Sequence, residues 1–238
     1  MIELLHQIEQ IDTQIFLFFN GFHNVYWDYF MMIFSDRFVW VPFYASFIFV
    51  LLKNFPVKVV MSTIVVITLI ILFSDQTASG ILKPLVARMR PSNPDNPISP
   101  MVHVVQGYRG GRYGFPSSHA ANAWSMAFFA QYLVRRSKLT IFLCLWALIT
   151  SYSRMYLGVH YFGDILIGTL IGFLYATLYY YIFQYFLRKH TERFKPNHDI
   201  RFASVPIITG LVSIWVIICT SGILSFYSIP LRLSLIHI

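Results

Sequence analysis

Charged side chains are scarce in this 238-residue chain: Asp, Glu, Lys and Arg make up 12% of it, against 57% hydrophobic residues. Soluble domains carry charge at about a quarter of their positions. The composition therefore excludes an ordinary soluble domain and predicts a polytopic membrane protein. The net charge of +8 does not indicate nucleic acid as a partner, because the basic residues fall in short clusters between apolar runs.

Cysteine and targeting signals are scarce as well. Cys144 and Cys219 both lie inside apolar runs, which indicates small core residues and excludes a disulfide pair or a cysteine metal site. The chain begins MIELLHQIEQ, with no basic n-region and no small-residue cleavage site. We therefore expect no removable signal peptide.

Long apolar runs dominate the remainder. A helix needs about 20 apolar residues to cross a bilayer, and six stretches approach that length: 29–52, 58–79, 119–135, 139–157, 164–187 and 204–226. Before them, apolar residues recur at helical spacing, which predicts an interfacial helix rather than a seventh span; they are Leu4, Leu5, Ile8, Ile11, Ile15 and Phe18. The predicted fold is all-α: a membrane helix bundle of about six transmembrane helices with an N-terminal amphipathic interfacial helix.

The connections differ in charge. Ten basic residues lie in short connections on one side of the bundle: Lys53, Lys58, Arg135, Arg136, Lys138, Arg188, Lys189, Arg193, Lys195 and Arg201. Cytoplasmic loops are enriched in Lys and Arg, so these connections are predicted to be cytoplasmic. The long loop 80–118 and the turn 154–164 then face outward, and three polar clusters meet on that face.

The first cluster is Lys83 with Arg90-Pro91. Lys83 and Arg90 are seven residues apart, nearly two helical turns, so they are predicted to share a helix face and to point at one anion. Pro91 would end that helix. The alternative is a pair of ordinary cations at the membrane edge.

The second cluster is Pro116-Ser117-Ser118-His119, which opens the third span. Such a helix start exposes backbone N–H groups that bind anions, and His119 would lie in its first turn. The alternative is a capping sequence beside an incidental histidine.

The third cluster is Ser153-Arg154, His160 and Asp164. The last two are four residues apart, so the carboxylate can bind one imidazole nitrogen and leave the other free to attack. Arg154 at the end of an apolar run suggests an anionic partner. A His–Asp surface pair is the alternative. Together the clusters supply what is needed to hold a phosphate, attack it with one histidine and protonate the leaving oxygen with the other.

The three clusters resemble the motifs of the type-2 phosphatidic acid phosphatases, whose phosphate site is shared with vanadium-dependent haloperoxidases. Lys, six residues, Arg-Pro matches Lys83 to Pro91; Pro-Ser-Gly-His matches 116–119; and Ser-Arg, five residues, His, three residues, Asp matches Ser153 to Asp164. The resemblance covers about residues 30–187. Ser118 replaces the family's glycine, a residue that adopts positive φ freely. The backbone donor is kept at this position, so we expect activity to be kept as well.

The resemblance implies the site. His160 would form a phosphohistidine, Asp164 would orient it, and His119 would be the general acid. The phosphate would be bound by Lys83, Arg90, Arg154, Ser117 and the backbone amide of Ser118, with no metal and no cofactor. A non-catalytic binder or transporter of phosphate-bearing lipid is the alternative, but it would need neither histidine.

The implied protein hydrolyses a phosphate mono- or diphosphate ester of a lipid, with undecaprenyl diphosphate or a phospholipid phosphate as the expected substrate. Its partners would be that substrate and membrane lipids, in a bacterial-type cytoplasmic (inner) membrane with the site facing outward. The sequence does not fix the oligomeric state.

The chain would then divide into an interfacial segment at 1–28, the phosphatase core at 29–187, and a basic cytoplasmic loop with a further transmembrane helix at 188–232. The final residues 233–238, LSLIHI, resemble a translated sequencing adapter, and we expect a scar there; a natural apolar tail is the alternative.

Two further features have no settled role. Asp75 interrupts an apolar run eight residues before Lys83, and we expect it to tether that lysine. Arg109 and Arg112 lie in the GYRGGRYG stretch, which would either line the substrate headgroup or form a flexible loop.

Overall fold

The computed structural model describes residues 2–190 and 200–231. In this part the chain is helical, which confirms the all-α prediction. The α-helices are α1 (Ile2–Asn20), α2 (Val25–Phe34), α3 (Val41–Asn54), α4 (Val57–Asp75), α5 (Lys83–Val86), α6 (Ser118–Val134), α7 (Ser137–Tyr156), α8 (Phe162–His190) and α9 (Val205–Tyr227). A π-helical segment, Gln76–Leu82, joins α4 to α5. The greater part of the predicted basic loop, 191–199, and the proposed scar at 233–238 lie outside the described residues.

Four helices of the described chain are long and apolar enough to cross a membrane: Val57–Val86, Ser137–Tyr156, Phe162–Leu187 and Val205–Tyr227. The segments Val25–Phe34 and Arg37–Asn54 form a fifth span if the pair, bent by 63°, is counted as one. The predicted stretch 119–135 corresponds to α6, which has 17 residues and is shorter than these helices. The count of six spans therefore stays a prediction.

α6 is the central helix and packs against α4, α7 and α8. Its buried face is made of small residues, Ala120, Ala121, Ala123, Ala127 and Ala130, and α8 presents Gly168 and Gly172 to it. A Cβ on Gly172 would lie 2.5 Å from the Ala121 carbonyl oxygen. Small residues let two membrane helices approach closely. The contact holds the start of α6 against the start of α8, where Ser117 N donates to Asp164 O over 2.9 Å.

α1 packs one stripe against the bundle. Asp12, Phe16 and Asn20 are buried at i, i+4 and i+8, whereas the apolar residues at the other side of the helix are exposed. Asn20 Nδ2 donates to the carbonyls of Met155 and Tyr156. The apolar face recognised in the sequence thus points away from the protein, as a helix at a lipid surface requires. The interfacial position of α1 stays a prediction.

The first polar cluster differs from its prediction. The helix that carries Lys83 ends at Val86, because Ala87 adopts a left-handed φ of 51°. Arg90 instead lies on an extended segment, where Arg90 N donates to Arg112 O over 3.2 Å. The prediction that Lys83 and Arg90 share a helix face is therefore wrong. The returning loop satisfies the backbone of this segment, which removes the need for a further helical turn.

Candidate active site

The three polar clusters meet at one end of the bundle, as predicted. Lys83 Nζ lies 3.4 Å from Ser118 Oγ, which joins the first cluster to the second. Arg90 Nη1 lies 3.4 Å from His160 Nε2, which joins the first to the third. Ser118 begins a regular helix, so this position does not need the glycine of the family motif, and its hydroxyl adds a contact to Lys83.

His160 and Asp164 form the buried pair that the sequence predicted. His160 Nδ1 lies 3.3 Å from Asp164 Oδ2, and both side chains are almost fully enclosed. His160 precedes α8 and Asp164 lies in its first turn, where Asp164 Oδ2 also accepts from Tyr161 N over 3.0 Å. A carboxylate on Nδ1 leaves Nε2 with a lone pair, and that nitrogen faces the Arg90 cation.

The electrostatics favour neutral imidazole at position 160. Burial, reinforced by the Arg90 and Arg154 cations, holds the pKa of His160 well below its usual value. Burial and the nearby Arg154 lower the pKa of Arg90 to about 10, so Arg90 remains cationic at neutral pH. A neutral imidazole beside fixed cations has the charge state that attack on an anion requires.

Arg90 is held rigidly by its surroundings. Its Nε donates to Tyr113 O over 3.1 Å and its Nη1 lies 3.4 Å from Val159 O. Gly110 has a φ of +67°, and a Cβ there would lie 2.7 Å from Arg90 Nη1. A Cβ on Gly114 would lie 3.0 Å from Asp164 Oδ2. The glycines of the GYRGGRYG stretch thus let the loop pack closely against Arg90 and Asp164.

Arg154 reaches the same region from the last turn of α7. Its Nη2 donates to Tyr108 Oη over 2.9 Å, and its Nη1 donates to Ser35 Oγ in a short hydrogen bond. Its Nε is buried and has no hydrogen-bond partner in the described part of the chain. A free donor on a fixed guanidinium can bind a phosphate oxygen.

His119 lies in the first turn of α6, after Ser117, whose Oγ caps the helix by accepting from Ala120 N over 3.3 Å. The charges of Arg154, Arg90 and Lys83 all act on the His119 ring. Within the ranges 2–190 and 200–231, that half-buried ring makes no hydrogen bond to protein. Its nitrogens are therefore available to a bound substrate.

A chain of side chains supports Lys83. Lys83 Nζ donates to Ser79 Oγ over 3.1 Å, and Ser79 Oγ lies 3.4 Å from Asp75 Oδ1. Ser79 lies in the π-helical segment, and Asp75 and Lys83 flank it at the end of α4 and the start of α5. Such a departure from α-helix is frequent at functional sites. This geometry agrees with the tether expected for Asp75.

The two loop arginines do not act alike. Arg109 Nη1 donates to Ser92 O and to Ser99 Oγ, so it ties the loop together. Arg112 is exposed, and its guanidinium lies over the Tyr113 ring. Arg109 therefore stabilises the loop, and a role in lining the substrate headgroup stays a prediction for Arg112 alone of the two.

Two charged residues of the site were missed by the sequence reasoning. Arg88 Nη1 lies 3.1 Å from Asp164 Oδ1 and 2.7 Å from Asp12 Oδ2. Asp12 comes from α1, far away in the sequence. In the sequence, Asp12 is a carboxylate four residues before Phe16, in a helix with few charges. Arg88 is one of the six residues between Lys83 and Arg90 in the first motif. No group of three or more His, Cys, Asp or Glu residues in the described ranges could hold a metal ion.

Comparisons with known proteins give the family of the chain. The model of the PAP2 superfamily matches residues 60–188. A relative named Lipid A 4'-phosphatase, from Bacteroides thetaiotaomicron, is 45% identical over 90% of this chain and 95% of its own length. A second of that name, from Porphyromonas gingivalis, is 33% identical over 76% of each chain.

A solved structure extends the comparison to the fold. The crystal structure of Aquifex aeolicus LpxE superposes with a TM-score of 0.55 at 22% identity, covering 71% of this chain and 94% of that one. Because the family model matches more than half of the chain and a relative that is 45% identical covers 90% of it, the chain belongs to the PAP2 superfamily, the type-2 phosphatidic acid phosphatases, and is a membrane lipid phosphatase.

Proposed function

We propose that this phosphatase hydrolyses a phosphate monoester on the sugar headgroup of a lipid of the lipid A class. The reaction passes through a phosphohistidine and takes place at the outer face of the cytoplasmic membrane. The observation that carries the chemistry is His160: its Nδ1 is bound by Asp164 while its Nε2 faces Arg90. The substrate class is supported by the relative that is 45% identical and named Lipid A 4'-phosphatase. This proposal replaces undecaprenyl diphosphate as the first substrate to test.

In the first step, Lys83, Arg90 and Arg154 bind the phosphate oxygens and neutralise their charge. His160 Nε2 attacks phosphorus in line with the ester oxygen, so that a P–N bond forms as the P–O bond breaks. His119 donates its proton to the leaving sugar oxygen. The dephosphorylated lipid leaves, and the phosphoryl group remains on His160.

In the second step, His119 is neutral and takes a proton from water as that water attacks phosphorus. The P–N bond breaks, its electron pair returns to Nε2, and inorganic phosphate departs. Asp164 holds the His160 Nδ1 proton throughout and stabilises the charge that develops on the ring. A binder or transporter would need neither the pair nor His119.

The test is hydrolysis of a substrate panel by the purified full-length protein in detergent. The panel holds bisphosphorylated lipid A, undecaprenyl diphosphate and phosphatidic acid, with released phosphate and lipid mass as readouts. We expect loss of one phosphate from lipid A, abolished in His160→Ala and kept in His6→Ala, an exposed histidine of α1. Preferential hydrolysis of undecaprenyl diphosphate or phosphatidic acid would reject the substrate class while keeping the mechanism.

The side of the membrane is tested by cysteine labelling. Asp95 in the long loop and Ser137 beside the basic residues 135 and 136 are both exposed. In a Cys144→Ala, Cys219→Ala background, an impermeant thiol reagent applied to intact cells should label Asp95→Cys and spare Ser137→Cys. The reverse pattern would place the site in the cytoplasm.

A further inference from the structure

We propose that Arg88 and Asp12 are positioning residues that hold the Asp164 carboxylate against His160, so that helix α1 is a working part of the active site. The inference rests on the proposed nucleophilic role of His160. The geometry is an ion triad: Arg88 Nη1 lies 2.7 Å from Asp12 Oδ2 and 3.1 Å from Asp164 Oδ1.

Asp164 needs a partner on its second oxygen. Its Oδ2 is used by Tyr161 N and His160 Nδ1, and its Oδ1 accepts from Arg88. The carboxylate is fully enclosed, and Arg88 is the cation within salt-bridge distance of it in the described residues. A buried carboxylate is costly unless it is paired and hydrogen-bonded. Arg88 therefore keeps Asp164 in the ionised form that can orient the imidazole.

Arg88 acts through Asp164 and not on the phosphate. Its guanidinium carbon lies 3.8 Å from the centre of the Tyr161 ring, which fixes the plane of the guanidinium. Its hydrogen bonds go to the two carboxylates. Arg90, by contrast, lies next to His160 Nε2, on the side where the phosphate would bind.

Asp12 anchors the triad to two helices. Its Oδ1 accepts from Gly163 N, in the first turn of α8, over 2.8 Å. A Cβ on Gly163 would lie 2.8 Å from Asp12 Oδ2, so glycine at this position makes room for the carboxylate. Asp12 is buried on a helix whose opposite face is apolar and exposed. An ionisable residue in such a setting indicates a functional role, and this one ties α1 to the turn that carries Asp164.

The charged and titratable groups around the triad define what its loss would change. Asp164 faces His160, Arg88 and Arg90. Arg88 in turn faces Asp12 and the phenol ring of Tyr161. Removing Arg88 leaves Asp12 and Asp164 without their shared cation. Asp164 Oδ1 would then lack its partner, and a carboxyl group that is free to turn no longer fixes the His160 tautomer.

The experiment compares Arg88→Met, Arg88→Lys and Asp12→Asn in the purified full-length protein with the lipid A substrate. Arg88→Met should lower kcat by about 10- to 100-fold, less than the roughly 10⁴-fold cost of losing an orienting carboxylate itself. KM should change by less than about threefold, since phosphate binding is untouched. Arg88→Lys should restore most of kcat, and Asp12→Asn should give a smaller loss.

Arg37→Met is the matched control, because Arg37 is an exposed arginine stacked on Phe38; it should keep wild-type kcat and pH profile. Adding Arg88→Met to Asp164→Asn should cost little more, as expected for residues that act as one unit. If Arg88→Met does not fold, Asp12→Asn and Arg88→Lys carry the test through kcat and KM. The inference is overturned by unchanged kcat, by a rise confined to KM, or by additive losses with Asp164→Asn. Activity retained in His160→Ala would instead reject the proposed function.

Discussion

The replacement Asp164→Asn tests whether the buried carboxylate sets the tautomer of His160. Asp164 accepts three hydrogen bonds, from Tyr161 N and His160 Nδ1 at one oxygen and from Arg88 at the other. An asparagine amide cannot satisfy all three, because one of its two terminal atoms donates. With the amide nitrogen toward Arg88, two donors face each other. With it toward His160, the amide offers a proton to Nδ1.

The second placement keeps the amide oxygen on the guanidinium, a charge-assisted hydrogen bond about twice as strong as a neutral one. His160 then accepts at Nδ1 and carries its proton on Nε2, so the attacking lone pair is lost. The equivalent change in a Ser-His-Asp triad lowers kcat by about 10⁴, which corresponds to about 5.4 kcal/mol in activation free energy. Lys83, Arg90 and Arg154, the proposed phosphate ligands, stay in place, so KM should stay within about threefold.

The assay is steady-state and single-turnover hydrolysis of lipid A by wild type, Asp164→Asn, His160→Ala and the double variant. The double variant should be no slower than His160→Ala. Asp28→Asn is the control, since Asp28 is a half-buried carboxylate paired with His103 instead of the site. A fall of less than tenfold in kcat of Asp164→Asn, or losses that multiply in the double variant, would refute the tautomer argument.

Three further predictions follow from the same geometry. The pH profile of kcat/KM should be bell-shaped with its acid limb below 6.5, because the pKa of His160 is lowered and the neutral ring is the active form; an acid limb at or above 6.5 contradicts the burial argument. Vanadate should inhibit as a five-coordinate transition-state mimic, with weaker inhibition in Arg154→Ala; equal inhibition of both proteins argues against Arg154 as a phosphate ligand. Gly172→Ala should lower the free energy of unfolding by about 1–3 kcal/mol through overpacking against Ala121, whereas Gly111→Ala, where a Cβ meets nothing within 4 Å, should not; thermal unfolding in detergent decides.

Contacts between residues close in the sequence were easier to predict than the backbone that carries Lys83 and Arg90. The spacing of His160 and Asp164 is local, and the predicted contact between the two side chains occurs. The Ser117 cap is local as well and corresponds to the alternative given for the second cluster. The prediction of a shared helix face for Lys83 and Arg90 was wrong, because a spacing of seven residues gives a shared face only where the helix continues through Ala87. The left-handed residue there follows from pairing with a loop more than twenty positions on, which a local pattern does not contain.

The triad of Asp12, Arg88 and Asp164 shows the same limit more sharply. Asp12 and Arg88 are separated by 76 positions, and no periodicity links them. The amphipathic pattern of α1 predicted a role for its apolar residues, which are exposed. Asp12 lies on the opposite, buried face of the helix. Only the packing of α1 against the start of α8 gives Asp12 a role.

The most direct test of the whole account is to trap the intermediate on His160. Protein mixed with lipid A carrying radioactive phosphate should be quenched in base within one turnover, because phosphohistidine is labile to acid, and then digested and mapped. The account predicts label on the peptide containing His160 in the wild type and in His6→Ala, and none in His160→Ala. Label that persists in His160→Ala, or that maps to His119, would contradict the assignment of the nucleophile.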